Sequence, residues 1–253
     1  MEKQGPFWEE TFKVRAYEVD HNGRAKFQTL FNYLQEAASN HAAFLKLSKT
    51  DFDRMGLTWV LSRFHVRVFH YPFWNQYVTV QTWPSLKERL FALRDFEMFD
   101  EKGKVLALAT SSWMMIDFKA RRAVRLPEFL AEYTNQEKGR ALEDTFERLP
   151  ELQTTHHEKE FQVRLSDLDM NRHVNSAVYI DWALEAVPEE IRTQQFLHEV
   201  EVNYRAEAVY GQRILSQVEI ADRANDRTIL HHRLLRADSE QELCRMVSRW
   251  RAK

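Results

Sequence analysis

One short segment in the second half of the chain concentrates the side chains best suited to chemistry. It reads Asp167-Leu168-Asp169-Met170-Asn171-Arg172-His173-Val174-Asn175-Ser176. In an extended chain alternate residues share a face, so Asp169, Asn171 and His173 would point at one substrate. Asn175 or Ser176 is placed to cap a helix predicted over residues 177–186, whose free amides and positive dipole end suit an oxyanion. Together these groups are of the kinds that acyl transfer requires.

The same segment also has a purely structural interpretation. Asp and Asn side chains commonly form turns and cap helices, and a single histidine is often a surface residue or a hydrogen-bonded core residue. A calcium-binding EF-hand loop is excluded, because counting from Asp167 the sixth position is Arg172 instead of glycine and the twelfth is Val178 instead of glutamate. The segment by itself therefore leaves acyl transfer and a structural turn both open.

The composition excludes several other classes of protein. The 253 residues carry 36 Lys+Arg and 38 Asp+Glu, a net charge of −2 that does not favour nucleic-acid binding. The six glycines lie far apart and form no dinucleotide turn, P-loop or G-x-S-x-G elbow. The single cysteine, Cys244, allows no internal disulfide and no cysteine-rich metal site, and no apolar run approaches the ~20 residues of a membrane span. We expect a cytoplasmic protein without a metal or a cofactor.

The elements that must position the candidate site are mostly strands. Aromatic residues make up 13% of the chain and lie in alternating segments, which is typical of half-buried strands. A helical pattern covers residues 28–47. Strands are predicted over residues 64–68, 77–82, 93–100, 105–116, 228–236 and 243–250. The pattern predicts an α+β fold in which antiparallel strands follow a long helix.

The two halves of the chain repeat one another in order. At an offset of 149 residues, Phe12-Lys13-Val14-Arg15 matches Phe161-Gln162-Val163-Arg164. At offsets of 136 and 137 further matches follow, ending with Trp113 and Trp250. Ordered matches over this length indicate a duplication. We predict a first domain over residues 1–135, a charged linker over residues 136–160 and a second domain over residues 161–253.

The repeat separates the residues of the candidate site that have a structural role from the residue that has a chemical role. Asp20 and Asn22 in the first half match Asp169 and Asn171, whereas the counterpart of His173 is Arg24. A turn that both halves need would keep the first two residues, and only the second half adds a titratable ring. His173 is therefore the residue that distinguishes a functional site from a turn, and we expect catalysis in the second domain.

Several segments together resemble the acyl-acyl carrier protein (acyl-ACP) thioesterases of plastids and bacteria. The most specific are the segment from Asp167 to Asn175, Tyr179-Ile180 with Trp182, and Tyr204-Arg205-Ala206-Glu207. The first half adds Tyr17-Glu18-Val19, Leu34-Gln35-Glu36-Ala37, Asn40-His41-Ala42, Tyr71-Pro72 and Trp74. The chain begins close to the first domain, without a Ser/Arg-rich transit peptide, so a bacterial member of the family is expected.

The resemblance implies a fold, an activity and a set of site residues. The fold is a tandem double hotdog, each unit a long helix wrapped by an antiparallel β-sheet. The activity is hydrolysis of fatty acyl thioesters on ACP. By position, the family's catalytic residues fall on Asp169, Asn171, His173 and Glu207. Many plant members carry a cysteine after the last of these, where this sequence has Ala208, so we expect a mechanism without a thiol.

The mechanism and the class of thioester stay open at this point. A carboxylate and His173 could activate water, with Asn171 or helix amides stabilising the oxyanion. Asp169 could orient the imidazole or attack the carbonyl itself. The alternatives to an acyl-ACP thioesterase are an acyl-coenzyme A thioesterase of the same fold, a catalytically silent acyl-binding protein and, more weakly, a hotdog hydratase. A homodimer is also open, and nothing predicts the preferred chain length.

Two further groups of residues are candidates for binding the substrate. One face of the first predicted helix is expected to line an acyl-chain pocket, although core packing produces the same pattern. Its candidates are Leu30, Leu34 and Ala38. A basic cluster after a predicted strand is expected to dock the acidic carrier protein, although a solvated loop has the same composition. Its members are Lys119, Arg121, Arg122 and Arg125.

Overall fold

The chain forms two compact units, which a computed structural model describes over residues 7–135 and 137–253. One unit extends to Thr145, and the other runs from Phe146 to Lys253. Each contains a set of antiparallel strands, a longer helix and a second, short helix. Within the described ranges, no helix combines the length and the apolar character that crossing a membrane requires.

The first unit sets a long helix against a run of antiparallel strands. Its helices are α1 (Phe27–Phe44) and α2 (Lys49–Asp53). Its strands are β1 (Trp8–Lys13), β2 (Leu57–Val68), β3 (Tyr77–Lys87), β4 (Phe91–Asp100), β5 (Val105–Asp117) and β6 (Arg122–Val124). The strand order within the unit is β1-β3-β4-β5-β2, and β6 pairs with β5.

Helix α1 forms because apolar residues recur at helical spacing and are buried against the strands. Phe31 of α1 and Phe64 of β2 have ring centroids 4.6 Å apart. Phe64 in turn stacks on Phe96 of β4 at 5.4 Å. A continuous row of aromatic rings therefore joins the helix to two strands of its own unit.

The second unit has the same kinds of elements. Its helices are α3 (Ser176–Glu185) and α4 (Glu189–Gln194). Its strands are β7 (His157–Gln162), β8 (Gln195–Tyr204), β9 (Arg213–Arg223), β10 (Arg227–Arg236) and β11 (Glu242–Ala252). The order within the unit is β7-β9-β10-β11-β8. Trp182 fastens α3 to these strands, since its carbonyl accepts a hydrogen bond from the Ser216 hydroxyl at 3.0 Å and its ring stacks on Phe161 at 5.7 Å.

The two units share one topology. If β1 to β5 are matched with β7, β8, β9, β10 and β11, the strand orders are identical. This is the arrangement that a duplicated strand-helix-strand unit produces. Every strand predicted from the sequence lies within an observed strand, and the α+β class is confirmed.

The charged segment predicted as a linker ends earlier than expected. β7 begins at His157, so residues 157–160 belong to a strand rather than to the linker over 136–160. These four residues are exposed, because β7 lies at the outer end of the strand order and has no apolar face to alternate. The boundary between the units, after Thr145, falls inside the predicted linker. Residues 1–6 and residue 136 of the predicted domains and linker lie outside the described residues.

Candidate active site

The segment from Asp169 to His173 folds as a tight turn closed by the Asp169 carboxylate. Oδ1 of Asp169 accepts hydrogen bonds from the backbone N–H groups of Asn171 at 2.7 Å and of His173 at 3.2 Å. The backbone closes the same loop, since Asp169 N donates to His173 O at 2.8 Å. Of the two interpretations left open by the sequence, the turn is confirmed and the extended segment with alternating side chains is wrong, because the carboxylate binds two backbone donors and bends the chain.

The residues on either side fix the ends of this turn. Leu168 and Val174 form an antiparallel bridge immediately outside it. Arg172 adopts the left-handed backbone conformation, with φ of 62°, that closes the turn. Before the turn, the buried Asp167 carboxylate accepts from the backbone N–H of Arg164 at 2.7 Å and from its guanidinium at 2.8 Å. The turn is thus anchored at both ends.

Helix α3 begins directly after the turn, as the sequence predicts. Asn175 is the N-cap, and its Oδ1 accepts from Ala177 N at 2.9 Å. Ser176 is the first helical residue, and its carbonyl accepts from the Tyr204 hydroxyl at 2.9 Å. Of the two candidate caps, Asn175 is confirmed. Because the cap already engages Ala177 N, that amide is not directed at an oxyanion.

The turn brings His173 against Glu207. Val174 N donates to Ala208 O at 3.0 Å, which sets the two chain segments side by side. Nδ1 of His173 then lies 3.3 Å from Oε1 of Glu207. Both side chains remain accessible, with 36% of His173 and 54% of Glu207 exposed. An imidazole and a carboxylate that are distant in sequence meet at the surface of the second unit.

Asp169 and Asn171 complete the polar cluster. Nδ2 of Asn171 donates to Oδ2 of Asp169 at 3.2 Å. Asp169 therefore uses one carboxylate oxygen on the turn and the other on Asn171, while Nδ1 of His173 faces Glu207. The structure brings the four predicted residues together, and it places Glu207 rather than Asp169 beside the imidazole in the described contacts.

The peptide that joins Glu207 to Ala208 is held at both ends. Its carbonyl oxygen accepts from Nη2 of Arg236 at 3.0 Å, and its N–H donates to the hydroxyl of Tyr179 at 2.8 Å. Burial raises the pKa of the Tyr179 phenol, so the hydroxyl stays protonated at neutral pH. Sequence reasoning missed Arg236, because no local pattern links the end of β10 to a peptide carbonyl elsewhere in the chain.

The single thiol is placed for packing and not for attack. Cys244 lies in β11 and is fully buried. Burial raises the pKa of its thiol far above the ordinary value, so the reactive thiolate is not formed at neutral pH. Ala208, which follows Glu207, is also fully buried and has no reactive side-chain atom.

The predicted acyl-chain residues lie on the buried face of α1 in the first unit. Leu30, Leu34 and Ala38 are 0%, 1% and 5% exposed. Core packing and a pocket wall both require such burial. The placement therefore agrees with the sequence prediction without distinguishing its two interpretations.

The predicted docking residues surround the end of β5 in the first unit. Asp117 organises the loop there, since its Oδ1 accepts from Lys119 N at 2.8 Å. Arg125 forms an ion pair with Glu128 at 2.7 Å, which offsets part of the local positive charge. All four predicted residues are exposed: Lys119, Arg121, Arg122 and Arg125.

The arrangement in the second unit can activate water beside a hydrogen-bond donor. Glu207 lies 3.3 Å from Nδ1 of His173, so it favours a proton on that nitrogen, and Nε2 is then the nitrogen that can accept a proton. The Asn171 amide gives one hydrogen bond to Asp169 and carries a second N–H that can donate to a developing oxyanion. A base and an oxyanion donor on one turn satisfy the main requirements of acyl-group hydrolysis.

Comparison with known proteins matches both halves of the chain to one family of thioesterases. Residues 5–133 match the acyl-ACP thioesterase N-terminal domain, and residues 151–252 match the acyl-ACP thioesterase C-terminal domain. Oleoyl-acyl carrier protein thioesterase 1 of Arabidopsis thaliana, a chloroplast protein, is 29% identical over 100% of this chain and 78% of its own length. The chain spans about three fifths of the length of two other plant relatives that it matches.

Solved structures show the same fold over nearly the whole chain. The 12:0-ACP thioesterase from Umbellularia californica matches with a TM-score of 0.88 and 26% identity, over 98% of this chain and 95% of its own. An acyl-ACP thioesterase from Bacteroides thetaiotaomicron matches with a TM-score of 0.85 and 25% identity, over 97% and 98%. The expected tandem double hotdog is confirmed, and the chain belongs to the acyl-ACP thioesterase family.

Proposed function

We propose that this protein hydrolyses the thioester of a fatty acyl-ACP to a free fatty acid and the carrier protein with its pantetheine thiol. The observation that carries the proposal is the contact of His173 Nδ1 with Glu207 Oε1 at 3.3 Å, beside Asn171. A carboxylate-paired imidazole next to an amide donor is suited to activating water. The site lies in the segment that the family's C-terminal domain matches.

In the proposed mechanism His173 is the general base. Its Nε2 takes a proton from a water molecule, whose oxygen attacks the thioester carbonyl carbon. The second N–H of Asn171 stabilises the tetrahedral oxyanion, and Glu207 stabilises the imidazolium. The intermediate collapses by breaking the carbon–sulfur bond, and the imidazolium returns the proton to the leaving pantetheine sulfur. Cys244 takes no part in these steps.

We assign Asp169 a positioning role in this mechanism. Its two carboxylate oxygens accept hydrogen bonds from the turn backbone and from Asn171, which orients the amide. The competing role is nucleophilic attack through an anhydride. A single turnover in ¹⁸O-labelled water, followed by mass spectrometry of the peptide that contains Asp169, separates the two. We expect no label in Asp169, and incorporation of label would establish the covalent route.

We propose that the first unit holds the acyl chain against α1, at Leu30, Leu34 and Ala38. The buried, apolar placement of these residues supports the proposal. Ala38→Leu should shift the chain-length profile toward shorter substrates, because it fills space along the chain. Ala43→Leu, on the exposed side of the same helix, is the matched control. A uniform loss across all chain lengths with Ala38→Leu would indicate damaged packing instead.

We propose that Lys119, Arg121, Arg122 and Arg125 dock the acidic carrier protein. Their common exposure supports the proposal. Reversing Lys119 and Arg121 to Glu should lower kcat/KM on acyl-ACP at low salt, because steering by opposite charge accelerates association. The matched control reverses the exposed Lys102 and Lys104. An unchanged kcat/KM in the first variant rejects the docking surface.

The last two parts of the proposal concern the cellular location and the oligomeric state of the protein. We place the protein in the cytoplasm of a bacterial cell, where its carrier-protein substrate would be met in solution. Fractionation of the source cells tests this location. Light scattering of the purified chain distinguishes a monomer from the homodimer that the sequence left open.

The decisive experiment measures thiol release from acyl-ACP and from acyl-coenzyme A over several chain lengths. We expect faster release from acyl-ACP. Preference for acyl-coenzyme A would identify the coenzyme A thioesterase of the same fold. Binding without release would identify a silent acyl-binding protein. Water addition to an enoyl thioester without thiol release would identify a hydratase.

A further inference from the structure

The Glu207–Ala208 peptide is clamped by two side chains that the proposed mechanism does not use. Tyr179 accepts its N–H at 2.8 Å, and Arg236 donates to its carbonyl at 3.0 Å. We propose that Tyr179 and Arg236 are positioning residues, which aim the Glu207 carboxylate at His173 by fixing this peptide. The inference rests on the proposed function and extends it to residues that touch neither substrate nor imidazole.

The first unit lacks the tyrosine side of this clamp and also lacks the carboxylate. Pro72 is the counterpart of Ala208, because their carbonyls accept equivalent backbone bonds, from Ala25 N at 2.8 Å and from Val174 N at 3.0 Å. Proline has no N–H, so no hydroxyl partner is required there. At the offset of 149 residues, the counterpart of Tyr179 is Leu30, which has no hydroxyl.

The residue before Pro72 and the residue before Ala208 also differ between the two units. Tyr71 stands in the first unit where Glu207 stands in the second. The Ala208 N–H and the Tyr179 hydroxyl are therefore both present in the second unit, which has the Glu207 carboxylate. Both groups are absent from the first unit, which has no carboxylate at that position. The loop keeps its other backbone bonds in both units, from Gln76 N to Phe73 O at 3.1 Å and from Gln212 N to Val209 O at 3.3 Å, so it folds in the first unit without a bond to the helix at this peptide.

The exposure of Glu207 explains why its backbone has to be held. Its side chain is 54% exposed, and its described polar contact is with His173. With about half of the side chain exposed, the orientation of the adjoining peptide helps to set where the carboxylate points. Ala208 and Tyr179 are both buried, so loss of the hydroxyl leaves a buried N–H without its partner and favours rotation of that peptide.

The test is a double-mutant cycle on kcat for acyl-ACP hydrolysis. Tyr179→Phe should lower kcat about tenfold with KM within about twofold, because the substrate contacts remain and a misplaced group slows the reaction. In the Glu207→Gln background the same substitution should lower kcat by less than about twofold, since the group it positions is already gone. Arg236→Met should behave as Tyr179→Phe does, and Arg236→Lys, which keeps a donor, should recover most of the rate.

Tyr33→Phe is the matched control. Tyr33 is a buried tyrosine of the first unit whose hydroxyl bonds to Glu18 Oε2 at 2.7 Å, so it loses a comparable bond. The inference is overturned if Tyr179→Phe lowers kcat equally in the wild-type and Glu207→Gln backgrounds. It is also overturned if Tyr179→Phe lowers kcat no more than Tyr33→Phe does. In either case, hydrolysis by the wild type leaves the proposed function standing. A wild type that releases no thiol, or an unimpaired Glu207→Gln variant, overturns the proposed function or the role of Glu207 itself.

Discussion

The turn at Asp20 and the turn at Asp169 have the same backbone bonds and different side chains. Oδ1 of Asp20 accepts from Asn22 N at 2.8 Å and from Arg24 N at 3.0 Å. Oδ1 of Asp169 accepts from Asn171 N and His173 N in the same way. Each turn is closed by a bridge, Val19 to Ala25 in the first unit and Leu168 to Val174 in the second.

The difference lies at the last position of the turn and in the residue that faces it. Arg24 lies over the Phe73 ring at 5.7 Å, whereas His173 faces Glu207. A turn carboxylate is therefore no sign of chemistry by itself, because both units use it to fold. The comparison assigns the folding role to the aspartate and the reactive role to the imidazole, and the following variants test that division.

The largest effect is expected at the position where the turns differ. His173→Ala should lower kcat by ~10³-fold, within the range that one general base contributes. Arg24→Ala, its counterpart, should change kcat by no more than about threefold, because it removes an exposed side chain away from the proposed chemistry. Steady-state kinetics on acyl-ACP, with circular dichroism as a folding control, measure both. A fully active His173→Ala variant would contradict the assignment.

A smaller effect is expected at the position that the turns share. Asp169→Ala and Asp20→Ala should each lower the free energy of unfolding by about 1–2 kcal/mol, since each leaves two backbone donors without their carboxylate. Asp169→Ala should also lower kcat by ~100-fold because the turn carries His173 and Asn171. Denaturant melts and kinetics test the pair together. Equal kcat losses in the two variants would show that the turns are not divided in function.

The buried histidines predict a common response of both units to acid. His41 in the first unit and His232 in the second have pKa values lowered to about 3, mainly by burial. Between that value and the unfolded pKa of about 6.5, the unfolded chain binds more protons, so stability falls as pH falls, by up to ~1.4 kcal/mol per pH unit for each histidine. Melting temperatures from pH 7 to pH 5 should decrease. His232→Gln should reduce that slope, and an unaltered slope would argue against a neutral buried His232.

The smallest effect concerns the backbone of the two turns. Gly23 has φ of 76° and Arg172, its counterpart, has φ of 62°. Gly23→Ala should cost about 1 kcal/mol because an added Cβ meets nothing within 4 Å and only the left-handed conformation is penalised. Arg172→Gly should raise the free energy of unfolding by a few tenths of a kcal/mol, as relief of strain is partly offset by a more flexible unfolded chain. Denaturant melts of both variants test this, and a loss in Arg172→Gly would contradict it.

The sequence predicted the elements better than their ends. The helix expected over residues 28–47 is α1, which ends at Phe44 because Lys46 turns left-handed with φ of 58° and Leu47 N bonds back to Ala42 O. The strands and the duplication follow from alternation and ordered repeats, which are local or periodic signals. The four residues of β7 assigned to the linker carry no apolar period, and no local signal could mark them as a strand.

The candidate site was predicted in composition and not in geometry. His173 and its neighbours were found because they are close in sequence, and Glu207 through the family resemblance. The turn was one of two interpretations left open, because capture of two backbone N–H groups by Asp169 competes with an extended chain, and spacing does not decide between them. The bonds of Tyr179 and Arg236 join segments far apart in the chain, so only the folded structure reveals them.

The charge on β7 has a consequence for how the protein behaves in a crowded solution. An outer strand offers unpaired backbone groups to the strand of another molecule, and charged side chains make that addition costly. Lys159 of β7 pairs with Glu185 at 2.9 Å, and Glu160 pairs with Arg213 at 3.3 Å, which keeps charges fixed along this strand. With a net charge of only −2, whole molecules repel one another weakly. Protection against aggregation at this edge therefore depends on a few local charges rather than on the charge of the molecule.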